Sequence, residues 1–216
     1  MPRRMPRYDQ HLASHAQLAT DIVKAGEIVH STGIASLRRE WKIIRLEFLY
    51  ELAYLRVFSA WESCLESVFY RSLCGYAGQS GQETLVAGTH YPTLAAAEAA
   101  VLGTQQYKLW HNPAQVVQRC QGFIRSGVPG CPGLQESVIS SHSARLIDLA
   151  AIRHRIVHEQ KDAKNKFDAA TLTFVGRTYS ASRPGKFLRD WDNSPVPRRW
   201  LDVLADELVG LASQIV

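Results

Sequence analysis

Apolar side chains return at steps of three and four through Leu37, Trp41, Ile44, Phe48, Leu52, Leu55, Phe58, Trp61, Leu65 and Val68, with no proline or glycine from Ser36 to Cys74. That period belongs to one face of a helix, so the stretch predicts a long core helix or two nearly collinear ones. Residues 11–30 repeat the pattern through Leu12, Leu18, Ile22, Val23, Ile28 and Val29, and Gly33 helps to stop it. Gly75, Gly78, Ser80 and Gly81 then interrupt the period. From there to Leu134 the chain reads as shorter helices joined by loops. Ala95 to Leu102 is alanine-rich, and Asn112-Pro113 supplies an N-cap and a first-turn proline for a helix ending near Ile124. Gly127 to Gly133 reads as a loop by composition.

Helical spacing resumes through Leu134, Val138, Leu146, Leu149, Ile152 and Ile156, predicting a core helix from Leu134 to about Gln160. Thr171 to Gly176 and Lys186 to Trp191 show a few residues of alternation and read as short strands or irregular cover. The last element, from Ser194 to Val216, opens with Pro195 and Pro197 and places Leu201, Leu204, Leu208, Leu211 and Ile215 on one stripe. The sum is an all-α bundle with a possible small C-terminal β-hairpin. A single domain over 1–216 is the expectation, with an N-terminal helical segment at 1–35, an insertion or extra helices at 75–134 and a basic loop or hairpin at 161–193.

Composition narrows the class. The chain has 216 residues, 46% hydrophobic and 21% charged, which suits a globular fold and argues against disorder. Arg45, Glu47, Glu51 and Arg56 interrupt the richest apolar segment, so no run approaches the roughly 20 apolar residues of a membrane span. The basic N-terminus is followed by polar residues rather than an apolar stretch, and a cytoplasmic location is expected. Cys64, Cys74, Cys120 and Cys131 form no Cys-x-x-Cys unit, which leaves little support for a metal site or a disulfide. The net charge of +5 is unevenly placed. Between Lys161 and Trp200 the basic residues outnumber the acids by the whole of that excess, which creates either a surface attractive to phosphate or an ordinary solvated face.

The densest group of chemically capable side chains is Arg153-His154-Arg155-Ile156-Val157-His158-Glu159 at the end of an apolar helix. His158 can exchange a proton near neutral pH and Arg153 can hold a phosphate with two donors, so the pair suits phosphodiester cleavage in which RNA supplies the nucleophile. The segment resembles the Arg-x4-6-His signature of HEPN domains, with His154 at the polar position after the arginine. An earlier long helix carrying Ala60-Trp61-Glu62-Ser63-Cys64-Leu65-Glu66 adds to the likeness, which covers the chain from about Ser36 to Glu159.

The resemblance implies an all-α bundle that dimerises so that two motifs face one composite cleft, and a metal-independent endoribonuclease needing no cofactor. In that frame Arg153 binds and polarises the scissile phosphate, His158 is general acid or base, and His154 supports them. Cleavage would leave a 2′,3′-cyclic phosphate. The resemblance also implies a toxin-antitoxin or phage-defence setting, with RNA as partner, an antitoxin protein as a further one, and no membrane. Glu62 is a candidate supporting carboxylate, since such a group raises the pKa of an adjacent histidine. Lys161, Lys164, Lys166 and Arg155 are candidates for contact with the RNA backbone.

Three alternatives stay open. One is a non-catalytic module that binds RNA or protein through the same cleft. A second is purely structural, because an arginine and histidines at a helix C-terminus complement the dipole and the last free carbonyls. The third is zinc on His154 and His158, which share a helix face, with a further ligand from His142, His111 or Glu62. Five residues at 3.6 per turn rotate Arg153 and His158 about 140° apart, so they need long reach, local helix distortion or a second subunit, which makes a dimer cleft attractive. No phosphate-binding glycine loop, Gly-x-Ser-x-Gly elbow or dinucleotide fingerprint occurs.

Overall fold

Ten α-helices and one 3-10 turn make up the regular structure among the described residues, which in this computed structural model are 3–81, 83, 84, 86–105, 107–124 and 134–216. The helices are α1 (Tyr8–Ser31), α2 (Ala35–Glu40), α3 (Ile43–Leu73), α4 (Leu94–Leu102), α5 (Pro113–Phe123), α6 (Leu134–Ser141), α7 (Ser143–Val157), α8 (Lys161–Val175), α9 (Pro184–Arg189) and α10 (Trp200–Ile215). The protein is all-α. Only isolated β-bridges accompany the helices among the described residues. No described helix is long and apolar enough to cross a membrane. The loop expected at 127–133, with Cys131, lies outside the described residues.

The chain divides into two compact units, each assembled from separated stretches. One comprises Met1–His11, Trp61–Ile147 and Gly210–Val216. Its core contains Trp61, Leu65, Phe69 and Leu73 of α3, Val116 and Cys120 of α5, and Ile139 of α6. Phe69 is its aromatic centre, 5.5 Å from the Trp110 ring and 6.2 Å from that of Phe123. Met5 and Val216 are held here, since the Met5 N–H donates to the Ala77 carbonyl at 2.7 Å and the Gln79 N–H to that of Val216 at 2.8 Å. Asn112 caps α5 as its spacing predicts, accepting from the Gln115 N–H at 3.4 Å, with Pro113 in the first turn.

The other unit comprises Leu12–Ala60 and Asp148–Val209. Leu46, Tyr50, Tyr54, Val57 and Phe58 of α3 are buried here, with Leu149 and Ile152 of α7 and Leu201, Leu204 and Leu208 of α10. The Tyr54 hydroxyl donates to the Leu149 carbonyl at 2.8 Å, meeting the demand that a buried polar group find a partner. Phe187 gathers Phe167, Phe174, Tyr179 and Trp200 around it, with ring centroids 5.4–6.2 Å apart. Gly185 brings α9 against the backbone of α3 so closely that a Cβ there would stand 2.2 Å from the Glu47 carbonyl oxygen.

Several boundaries differ from the apolar pattern. The stretch beginning at Ser36 breaks at Trp41, whose ψ of 60 leaves the helical region, and Arg45 reaches back to the Glu40 carbonyl at 2.7 Å to satisfy the end of α2. Between Leu134 and Gln160 the helix is interrupted at His142. The short strand or irregular cover expected at Thr171 to Gly176 is instead the last turn of α8. Ala163, Phe167 and Ala170 are buried at helical spacing, and Gly176, with φ 69, ends the helix in the left-handed conformation. Lys186 to Trp191 is likewise no strand, because Lys186 to Arg189 belong to α9. The segment 161–193 is therefore mainly helical, not a basic loop or hairpin. One antiparallel bridge, Trp191 with Arg199, stands where a hairpin was expected. Pro195 and Pro197 lie in that loop, and α10 begins only at Trp200.

Candidate functional site

α7 is driven into the core by Leu149 and Ile152, and this leaves its last turn half-exposed with Arg153, His154, Arg155 and His158. His154 and His158, four residues apart, bring their rings together with centroids 4.5 Å apart and planes at 49°. The helix persists as far as this pair, since the His158 N–H donates to the His154 carbonyl at 2.9 Å. Burial, the neighbouring His158 and the charge of Lys166 push the His154 imidazole below its ordinary value, with Asp162 opposing them. His154 is therefore predominantly neutral at neutral pH.

The two arginines of this turn differ sharply. The Arg155 Nε donates to the Ser182 carbonyl at 3.1 Å and a terminal nitrogen donates to the His158 carbonyl at 3.1 Å, closing the C-terminal end of the helix. It also braces a turn in which Ala181 and Ser182 have φ of 56 and 46, values uncommon for residues with a Cβ. Ser182 is buried, and its hydroxyl donates to Asp168 at 2.7 Å. Arg153, by contrast, has no hydrogen bond or ion pair among the described residues, so its guanidinium is available to an anion.

The three lysines lie in the first two turns of α8, all exposed. Lys166 pairs with Asp162 at 2.7 Å, one turn earlier on the same helix. Lys161 and Lys164, three residues apart, share a face and keep their charge for solvent or a ligand.

The proposed supporting carboxylate has its own partner. Glu62 meets His111 Nδ1 at 3.1 Å within the unit that contains Trp61–Ile147. His142 turns its Nδ1 to the Val138 carbonyl at 3.0 Å. Among the described residues no three histidine, cysteine or acidic side chains are grouped to hold a metal ion. Burial pushes the Cys64 and Cys120 thiols up to about 12, so both are protonated at neutral pH.

A second concentration of charge is visible only in three dimensions. A cavity of about 660 Å³ opens beside α9, with Lys186, Arg189, Trp191 and Arg199 in its wall. The sequence signal was the basic excess after Lys161 and the tryptophan lying between Arg189 and Arg199, but linear spacing does not fold those residues around a hollow. In comparisons with known proteins no family model, no curated protein and no solved structure matches this chain.

Proposed function

We propose that the end of α7 is the active site of a metal-independent endoribonuclease. The observation that carries the reading is the contact between the His154 and His158 rings at 4.5 Å. Two imidazoles that close do not readily hold two protons, so one remains a base while the other can be an acid. The depression of the His154 pKa favours that ring as the neutral member. Arg153, one residue before the pair and free of protein partners among the described residues, holds the scissile phosphate with two donors.

The chemistry then follows from the substrate. The RNA 2′-hydroxyl attacks the adjacent phosphorus, its proton passing to the neutral imidazole, and the bond to the 5′-oxygen breaks. The protonated imidazole of His158 donates to that leaving oxygen. The products are a 2′,3′-cyclic phosphate and a 5′-hydroxyl. His158 thus carries the acid role, returning to base if the cyclic phosphate is later hydrolysed. Lys161 and Lys164 attract the flanking phosphates, which makes RNA affinity fall with salt. Arg155 is a positioning residue that holds the end of α7. A homodimer supplying Arg153 and His158 from two chains resolves their angular separation on the helix. The family resemblance suggests a toxin-antitoxin or phage-defence role and an antitoxin partner.

The test is cleavage of total RNA by purified protein in EDTA, with Arg153→Ala and His158→Ala alongside and folding checked by circular dichroism. Loss of cleavage in both folded variants is the expected result. Mixing the two inactive variants restores part of the activity if the site is composite, because mixed dimers assemble one intact pair. A second reading is favoured by the rotation of about 140° between Arg153 and His158 within one chain: a helical module that binds RNA without cutting it. Salt-sensitive binding without cleavage under every condition selects it.

A further inference from the structure

The cavity beside α9 has the charge balance of an anion site. Its carboxylates are already engaged. Glu47 pairs with Arg183, and Asp190 pairs with Arg177 while accepting from the Tyr179 hydroxyl at 2.7 Å and the Trp191 N–H at 3.0 Å. Arg189 and Arg199 share one carboxylate, Glu27, at 2.9 and 3.4 Å. The Lys186 ammonium has only the Ser180 hydroxyl, at 3.4 Å, among the described residues. The wall and its ion partners therefore set five cations against three carboxylates, two positive charges in excess. A phosphate monoester brings about 1.5 to 2 negative charges at pH 7 and matches that excess.

Trp191 adds a requirement for a flat ring. It lines the same hollow and is 52% exposed, an unusual display for the largest apolar side chain. The Arg199 guanidinium stands 3.8 Å from its ring centroid, and its backbone is fixed on both sides, with the Asp192 N–H donating to the Arg198 carbonyl at 2.8 Å and the Trp200 N–H to that of Asp190 at 3.0 Å. An exposed aromatic on a held backbone, beside cations that outnumber the carboxylates paired with them, is the arrangement on which a base stacks while its phosphate is held. The volume of about 660 Å³ lies within the usual range of small-molecule sites, about 300–1,000 Å³.

The geometry points to a nucleotide-binding pocket here, with the phosphate between Lys186 and the Arg189/Arg199 pair and the base against Trp191. The nucleotide comes either from a free mononucleotide or from the end of an RNA strand. None of Arg153, His154 or His158 lines the pocket, so the inference stands apart from cleavage at α7.

Calorimetric titration of the full chain with AMP, inorganic phosphate and a 5′-phosphorylated uridine pentamer tests it, using wild type, Lys186→Gln, Trp191→Ala and His158→Ala. AMP should bind at least about tenfold more tightly than inorganic phosphate, because stacking contributes only for the nucleotide. Lys186→Gln and Trp191→Ala should each weaken that binding about tenfold while melting as wild type does, and His158→Ala should leave it unchanged. If the pentamer binds and AMP does not, with the same sensitivity to both pocket substitutions, the strand end is the occupant and the pocket stands. No binding of either nucleotide probe, equal affinity for AMP and phosphate, or indifference to both pocket substitutions overturns it.

Discussion

The end of α7 and the wall of the α9 cavity are both cationic, but they are built in opposite ways. Around the cavity nearly every charge has a partner. Glu27 alone holds Tyr50, Arg189 and Arg199, and although burial works against its ionisation, Arg189 and Tyr50 keep its carboxyl below the usual range. At the end of α7, among the described residues, Arg155 is tied down by two hydrogen bonds to carbonyls, while Arg153 and the two histidines are half-exposed with few bonds. On the proposed reading the difference separates recognition from chemistry. A binding wall gains from fixed groups that lose little freedom when a ligand arrives, whereas a group that must hold a moving phosphate or pass a proton cannot be spent on the protein itself.

The sharpest way to break this contrast is Gly185→Ala. A methyl group placed 2.2 Å from the Glu47 carbonyl forces α9 away from α3, so the variant should lose about 3 kcal/mol or more in urea unfolding and should lose nucleotide binding. A wild-type midpoint would mean that α9 is not pressed on α3 as described. Next in size is His158→Ala, expected to lower RNA cleavage by about 100-fold or more in the same assay that shows normal folding. The two neighbouring arginines give a smaller and more pointed comparison. Arg155→Ala should cost about 1.5–3 kcal/mol, through two charged hydrogen bonds to carbonyls, and Arg153→Ala should stay within about 0.5 kcal/mol of wild type. Equal stabilities for the two variants would erase the distinction between a structural and a free arginine.

The smallest effect is a titration. The His154 ring should show an NMR midpoint below 6.5, and Lys166→Ala should move it upward by removing a repelling charge. Because the folded value is depressed, the unfolded chain binds the proton more readily. Stability is then unaffected by this group above 6.5 and falls as pH drops from there through the folded value. A midpoint at or above 6.5 contradicts the environment assigned to the ring.

How far the sequence foretold this molecule depended on the kind of signal. The long run of spaced apolar residues from Leu37 to Val68 announced the helix of α3, and Phe58, Trp61, Leu65 and Val68 bury themselves at helical period, but its first half marked the wrong face: Leu37, Ile44, Phe48 and Leu52 are exposed while Leu46, Tyr50 and Tyr54 are buried. Asn112-Pro113 was legible for a local reason, since a cap and a first-turn proline act within four residues. Thr171 to Gly176 misled because β-branched and aromatic residues raise strand preference, while Phe167 and Ala170, lying outside that window, decide the packing. The His154 and His158 contact followed from a four-residue step on a helix. The assignment of Arg155 to Ser182 spans 27 positions and no linear spacing reveals it. The cavity is harder still, since Glu27 and Arg189 are 162 positions apart.

The central claim is that the end of α7 cuts RNA by internal attack of the 2′-hydroxyl. The most direct measurement is mass spectrometry of the ends produced from a defined RNA in EDTA, with wild type and His158→Ala side by side. The account predicts 2′,3′-cyclic phosphate and 5′-hydroxyl ends from the wild type and intact RNA from the variant. Intact RNA in both samples, or the same ends from a folded His158→Ala protein, would contradict it.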